Sequence, residues 1–313
     1  MQVNLVQAIA LIKRGEVVAM PTETVYGLAA DARNESALKQ IYAIKQRPAN
    51  NPLIVHIGAS KQVLEWAKEY SPLAQRLAAA FWPGPFTMVL PAKADVSMIV
   101  RAGEPTVALR VPAHPIAQQV LQQSGLGLAA PSANKYTQLS PTTAKHVEDS
   151  LGEDIPVLDG GACKVGIEST IVAVEGNQWR LLRLGMITEA EIQVVAGLPA
   201  LTENKNLPKV PGQHLLHYSP KTPVQLFESR ESLIKAAETE ASCAALLLGE
   251  GRIPNGKTFN LPNNPVGLAE KLYDTLHQMD ALEVAKLLIE APPKQSEWLA
   301  IHDRLSRASH KLN

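Results

Sequence analysis

Residues 201–223, LTENKNLPKVPGQHLLHYSPKTP, hold four prolines and no apolar periodicity. Proline lacks the amide that helix and sheet both need, so this stretch interrupts the strand–helix alternation found on either side. The chain of 313 residues therefore reads as an α/β unit over 1–200, a linker over 201–223 and a smaller α/β unit over 224–313. A passive tether would be richer in Gly, Ser or charge. Leu215, Leu216, His217 and Tyr218 predict instead that part of the linker docks on the protein.

Within the first unit, helical spacing predicts helices over 3–14, 36–46 and 114–123, with others over 141–150 and 188–196. Ser60 is a candidate cap for a helix running to Tyr70. Ser71-Pro72 opens the next helix, and Thr188-Glu-Ala-Glu191 forms a capping box. Strands are predicted at Glu16–Met20, Leu53–Ile57, Phe86–Leu90, Thr106–Val111, Leu126–Ala130, Ile155–Leu158, Thr170–Val174 and Trp179–Leu184. The last two form a hairpin around Glu175-Gly176-Asn177, so the sheet should be mixed. After Val224 the order is strand, helix (230–239), strand (Cys243–Leu248), helix (265–280), strand (Ala285–Ile289) and helix (297–307). That alternation implies a small parallel sheet.

Composition narrows the function classes. Lys+Arg and Asp+Glu both total 30, which argues against a general nucleic-acid coat but leaves room for a local basic pocket. With 4 Trp, 6 Tyr and 4 Phe, the chain has few rings for stacking a single strand. Cys163 and Cys243 lie far apart and outside any CxxC, so a reducing cytoplasm is expected rather than a disulfide framework. The opening MQVNLVQAIALIKRGE is too short in apolar length for a signal peptide, and no run is long enough to span a membrane.

Two motif matches lack their structural context. Gly251-Arg-Ile-Pro-Asn-Gly256-Lys257-Thr258 fits the P-loop pattern, but Pro262 and Pro265 follow where a helix is required. A surface turn is expected there. Gly125-Leu-Gly127-Leu-Ala-Ala130 loosely fits a dinucleotide fingerprint but runs into Pro131. His214 and His217 have no Cys or carboxylate close enough in sequence to complete a metal set, and no G-x-S-x-G elbow is present.

More telling is a series of polar residues set into apolar strands and turns. Met20-Pro-Thr-Glu-Thr24-Val-Tyr-Gly-Leu28 follows a strand and suits a ligand mouth or an ordinary turn. Lys45 and Arg47 end a helix and enter a loop with Asn50 and Asn51; they either complement the helix terminus or hold an anion. His56 lies mid-strand, opposite to Leu53, Val55 and Ile57, and a satisfied core histidine is the plainer account. Arg110 likewise opposes Val107, Leu109 and Val111, and such an arginine needs a paired anion or water. Ser132 and Asn134 end another strand, Ser140-Pro141 should open a helix, and Arg183 stands where an apolar residue is expected. With Gly166-Ile-Glu-Ser169-Thr170, these describe a pocket for a small anion rather than a metal cluster or nucleophile triad.

Pro21-Thr-Glu-Thr-Val-Tyr-Gly-Leu28, Lys45-x-Arg47, Ser132-x-Asn134 and Gly166-Ile-Glu-Ser-Thr170 resemble, in the same order, the motifs of the YrdC-like threonylcarbamoyl-AMP synthases. His217-Tyr218-Ser219-Pro220 and the α/β tail resemble the long, two-domain form. The resemblance implies a twisted mixed-sheet catalytic domain with a positive concave face, a linker docking near the active site and a Rossmann-like tail. It implies that L-threonine, bicarbonate or CO2, and ATP yield threonylcarbamoyl-adenylate and pyrophosphate, for modification of tRNA by a downstream threonylcarbamoyl-transferase complex. By the same resemblance, Lys45 and Arg47 are the catalytic pair on the phosphates, with Mg²⁺ accompanying ATP. Asn51, Thr106, Ser132, Asn134, Ser140, Arg183 and Tyr218 join them on the nucleotide side. Thr24, His56, Arg110, Ala130 and Ser169 would form the threonine pocket, with Arg110 on the carboxylate. The competing readings are an RNA-binding module without nucleotide chemistry and a P-loop ATPase using Lys257.

Overall fold

A computed structural model describes residues 1–202, 207–212 and 218–309. Its larger sheet has ten strands. Their spatial order is β1 (Gln2–Val3), β8 (Val157–Leu158), β2 (Val18–Met20), β3 (Gly27–Asp31), β7 (Leu128–Ala129), β4 (Ile54–His56), β6 (Thr106–Arg110), β5 (Phe86–Pro91), β9 (Thr170–Glu175) and β10 (Gln178–Arg183). The sheet is mixed: β4 runs parallel to β6, β5 antiparallel to β6, and β9–β10 is the expected hairpin.

The helices begin where caps are encoded. Ser71 accepts from the Ala74 amide and Pro72 opens α3 (Pro72–Phe81). Thr188 and Glu191 form the capping box of α7 (Glu189–Ala196). Also present are α1 (Leu5–Lys13), α2 (Glu35–Lys45), α4 (Met98–Arg101), α5 (Pro115–Ser124) and α6 (Ala144–Leu151).

Two local readings are corrected. The helix expected from Ser60 to Tyr70 is only a 3-10 segment over Ser60–Glu65. Beyond it the backbone leaves the helix for other partners: Lys68 N bonds Pro91 O at 2.8 Å and Lys93 N bonds Trp66 O at 2.9 Å. Ser140-Pro141 does not open α6, which Thr143 caps instead. The carbonyls of Pro141 and Thr142 accept from the amides of Tyr26 and Cys163, so they are committed to long-range bonds. The stretch after Met20 is a turn, as expected, and it closes a hairpin into β3 with Met20 opposite Gly27.

The smaller sheet is fully parallel, in the order β11 (Val224–Phe227), β14 (Lys286–Glu290), β12 (Cys243–Leu248), β13 (Lys257–Leu261). Helices α8 (Arg230–Thr239), α9 (Pro265–Asp280) and α10 (Leu299–Ala308) complete it. Lys257 begins a strand rather than ending a phosphate loop, so no helix presents amides there, and the expected surface turn is only partly right. Gly256, at φ +96, lets the chain pass Cys243, whose carbonyl would stand 2.2 Å from an added Cβ. Gly125 caps α5, so the loose dinucleotide fingerprint is a helix end.

One apolar cluster joins the two sheets. Val25, Leu139 and Ile167 from loops of the first pack with Tyr218 and with Leu268, Ala269, Leu272 and Tyr273 of α9. Leu215, Leu216, His217 and His214 lie outside the described residues; Val210 and Tyr218, on either side, are buried.

Candidate active site

Strands β4 and β6 set the floor. Their parallel register places His56 beside Arg110. Alternation sends Leu53, Val55, Ile57, Val107, Leu109 and Val111 into the main core. His56 and Arg110 face the other way, into a cleft of about 560 Å³ counted with its open mouth. Thr24, Arg47, Ala130, Ser132, Ser169, Arg183 and Tyr218 line the same cleft.

Arg110 has a protein anion already. Its Nη2 lies 2.6 Å from Glu23 Oε1. Nη1 donates to Thr24 Oγ1 at 2.9 Å and Nε to the Gly84 carbonyl at 3.1 Å. The anion that a mid-strand arginine requires is thus Glu23, a residue quoted in the motif but not singled out in the sequence. Burial, then the neighbouring Arg110, pushes His56 down to about 3, so its ring is neutral at physiological pH. Among the described residues, His56 Nδ1 has no hydrogen-bond partner.

Arg183 reaches the cleft because β10 bulges: Leu181 pairs Val172 while Arg183 pairs Ile171, so Leu182 is extra and the alternation slips. Without that slip Arg183 would point with Leu181 into the core. Its Nε and Nη2 donate to the Ser169 carbonyl at 3.1 and 2.9 Å, Nη2 also to Ser169 Oγ at 3.1 Å, and Nη1 to the Pro211 carbonyl at 3.1 Å. Ser169 Oγ is 2.8 Å from Thr87 Oγ1.

Lys45 and Arg47 follow one another through Gln46, whose left-handed φ of 52° ends α2. Arg47 Nη2 donates to the Pro52 carbonyl at 2.9 Å, and its Cζ stands 5.9 Å from the centre of the Tyr136 ring. Lys45 is buried just behind the cleft. Its ammonium donates to the carbonyls of Ser132 and Asn134, the latter at 2.6 Å. Burial, then Arg47, holds it well below the usual lysine range. Burial also lowers Arg47 and Arg183. Lys45, Arg47 and Arg183 make no ion pair among the described residues, and every hydrogen bond they donate goes to a neutral oxygen.

The remaining residues of the predicted site stand at its edge or away from it. Asn51 Nδ2 donates to the Tyr136 hydroxyl at 3.3 Å beside Arg47. Asn134 Nδ2 closes its own loop onto the carbonyls of Lys135 and Gln138. Thr106, at the start of β6, lines a different groove with Pro105 and Trp179. Ser140 is fully buried, and its hydroxyl donates to Glu168 Oε1 at 2.6 Å.

Glu168 also lines the cleft, and sequence reasoning passed over it. Tyr273 donates to its Oε2 at 3.1 Å and Arg304 Nε at 2.9 Å. Burial alone would raise its carboxyl, but Arg304, Arg183 and the Ser140 hydroxyl outweigh that and leave it lowered. Arg304 was legible in principle. It sits on the buried stripe of α10 with Ala300, Ile301, Leu305 and Ala308, where a charge needs a reason. Among the described residues, no group of three or more His, Cys, Asp or Glu could hold a metal ion. No described helix is long and apolar enough to cross a membrane.

Comparison with known proteins accounts for nearly the whole chain. Residues 10–185 match the profile of the Sua5/YciO/YrdC proteins, described as telomere recombination. Residues 187–310 match the profile described as threonylcarbamoyl-AMP synthase, C-terminal domain. The threonylcarbamoyl-AMP synthase of Pyrococcus abyssi is 38% identical over 96% of this chain and 93% of its own length. That of Bacillus subtilis is 37% identical over 98% and 93%. A crystal structure of P. abyssi Sua5 complexed with L-threonine matches with a TM-score of 0.90 at 35% identity, covering 99% of this chain and 97% of that one. Escherichia coli YciO, at 20% identity and a TM-score of 0.52, covers 59% of this chain and 93% of its own, and shares the fold of the first unit.

Proposed function

The chain belongs to the Sua5/YciO/YrdC family, and we propose that it is a threonylcarbamoyl-AMP synthase, joining L-threonine, bicarbonate or CO2, and ATP into threonylcarbamoyl-adenylate. One observation carries the reading: Arg47 and Arg183 enter the cleft and Lys45 backs it, all buried and, among the described residues, all bonded only to neutral oxygens. Desolvated cations with no protein anion are costly unless a ligand brings the negative charge. A nucleoside triphosphate does so.

In this reading residues 1–200 carry the chemistry, 201–223 border the cleft through Pro211, Gly212 and Tyr218, and 224–313 brace it. The threonine amine attacks the carbon of CO2, or of bicarbonate with loss of water, to give a carbamate. A carbamate oxygen then attacks the α-phosphorus, and pyrophosphate leaves with the electron pair of the broken P–O bond. No protein nucleophile is consumed. Arg47 and Arg183 offset phosphate charge as it shifts toward the leaving group. Lys45 and Asn134 hold the Ser132–Gln138 loop against the nucleotide. Mg²⁺ enters only as the companion of ATP.

On the amino-acid side, Arg110 shares its guanidinium between Glu23 and the substrate carboxylate, beside Thr24, Ala130 and Ser169. Neutral His56 offers a hydrogen bond without adding charge against the amine. The Tyr218 ring closes the cleft wall and limits water at the adenylate, a mixed anhydride that hydrolyses readily. Its consumer is an acyl transferase acting on tRNA.

The test is pyrophosphate release from ATP with and without L-threonine and bicarbonate, using L-serine and L-alanine as controls. Release that needs both threonine and bicarbonate is expected. A folded protein whose release ignores threonine overturns the proposal.

A further inference from the structure

Arg304 belongs to α10 of the smaller unit, yet its guanidinium is spent at the cleft of the larger one. It is 1% exposed. Nε donates to Glu168 Oε2 at 2.9 Å, Nη2 to the Leu184 carbonyl at 2.9 Å, and Nη1 meets Asp303 Oδ2 at 2.7 Å. Its Cζ lies 4.9 Å from the centre of the Tyr218 ring. Tyr273 of α9 and Ser140 supply the other donors to Glu168, so both carboxylate oxygens are engaged.

Arg183 stands next to this arrangement. It is bonded to the carbonyl and hydroxyl of Ser169, the residue that follows Glu168, and both Glu168 and Arg183 line the cleft. The two nevertheless form no ion pair. In a site of low dielectric, a carboxylate released beside a buried guanidinium would become its strongest available partner. An incoming phosphate would then have to displace it.

We propose that Arg304, assisted by Tyr273, is a positioning residue for the nucleotide cleft: it keeps the Glu168 carboxylate turned toward the smaller unit, so that Arg183 remains available to the phosphates of a nucleoside triphosphate. This rests on reading the cleft as a polyphosphate site. It gives the smaller unit a defined task, which is to supply a counter-cation for Glu168 so that Arg183 need not. The seam is tight enough to transmit such a constraint: a Cβ added to Gly166 would lie 2.1 Å from the Ala269 carbonyl of α9.

The distinguishing experiment is charge rescue. Inorganic tripolyphosphate is titrated calorimetrically into the full chain and into Arg304→Lys, Arg304→Gln and the Glu168→Gln/Arg304→Gln double variant. The KM values for ATP and threonine are measured alongside. Arg304→Gln should weaken tripolyphosphate binding and raise the ATP KM about tenfold, the scale of one charged hydrogen bond. The threonine KM should move less than about twofold, since Arg304 acts on the phosphate side. Arg304→Lys should retain most of the affinity. The double variant, with no carboxylate left to compete, should recover to within about threefold of wild type. A purely structural role for Arg304 predicts that the threonine KM moves as far as the ATP KM. A double variant that binds no better than Arg304→Gln overturns the proposal, as does an Arg304→Gln variant equal to wild type. If Arg304→Gln does not fold, the neutral double variant decides: near-wild-type affinity supports the proposal and a tenfold loss overturns it. Wild-type binding of tripolyphosphate without threonine-dependent pyrophosphate release would refute the synthase reading alone. Absence of tripolyphosphate binding by the wild type would refute this inference.

Discussion

Acid should loosen the seam between the two units through one pair of histidines. His146 of α6 and His277 of α9 stack with ring centroids 3.9 Å apart and planes at 19°. His146 Nδ1 accepts from the Thr142 amide at 3.3 Å, its Nε2 lies 3.4 Å from Asp274 Oδ1, and His277 Nε2 donates to the Ser140 carbonyl at 3.2 Å. Asp149, Asp274 and Asp280 also face the pair, and Lys145 is tied to Asp149 on the outside. Burial, then His277, pushes His146 down to about 3, and burial lowers His277 too. The unfolded imidazole binds its proton near pH 6.5, so between that value and about 3 the unfolded chain holds more protons than the folded one. Stability is therefore full above the unfolded value and falls as the pH drops toward the folded one. Linkage gives roughly 2 kcal/mol lost at about pH 5 for His146 alone, and that figure barely changes for any folded value below about 4. The assay is urea unfolding at about pH 7.5 and about pH 5 for wild type and His146→Gln, followed through the transition that includes α9. The variant should lose about 2 kcal/mol less than wild type on acidification, whatever its stability at neutral pH. Equal losses in the two proteins would refute the reasoning.

Three further outcomes are expected. Gly166→Ala meets both a φ of +80 and the carbonyl of Ala269, so it should cost about 2–4 kcal/mol in a denaturant titration; a loss under about 1 kcal/mol would mean that the seam yields easily. Lys257→Ala, at the start of an outer strand, should leave adenylate synthesis unchanged, whereas near-total loss would revive a P-loop mechanism. Tyr218→Ala should raise the ratio of pyrophosphate released to adenylate recovered, and an unchanged ratio would remove Tyr218 as a water barrier.

Legibility in the sequence tracked how local the determining physics was. Ser71-Pro72 and the Thr188–Glu191 box are decided within four residues, and both helices start where their caps predict. Strand alternation at His56 and Arg110 placed both side chains on the face away from the core. The failures are places where distant backbone claimed a segment. The stretch beyond Glu65 leaves its helix to bond Pro91 and Lys93, and Pro141 spends its carbonyl on Tyr26. β3 was hidden because Gly27-Leu-Ala-Ala-Asp31 is a buried run of small residues without alternation, and β13 because Lys257–Leu261 is half exposed and follows a turn. The bulge that redirects Arg183 had only an anomaly as its sign: a cation where periodicity called for an apolar residue.

The site was legible as chemistry but not as pairing. A strand arginine demands an anion, and the sequence alone could not decide between a ligand and Glu23, 87 residues away in the chain. The same demand applies to Arg304 on the buried stripe of α10, whose answer is Glu168, 136 residues away. The balance of 30 cationic and 30 anionic side chains conceals what happens locally. At the cleft, Glu23 is committed to Arg110 and Glu168 to Arg304, and among the described residues those pairings leave Lys45, Arg47 and Arg183 without an ion pair. A fold selected for stability alone would not bury three desolvated cations on neutral oxygens, because each lowers stability until an anion arrives. Such an arrangement fits the proposed polyphosphate site, in which the second carboxylate takes its cation from outside the first unit. Arg304 supplies it, so the smaller unit is coupled to the cleft by charge as well as by packing.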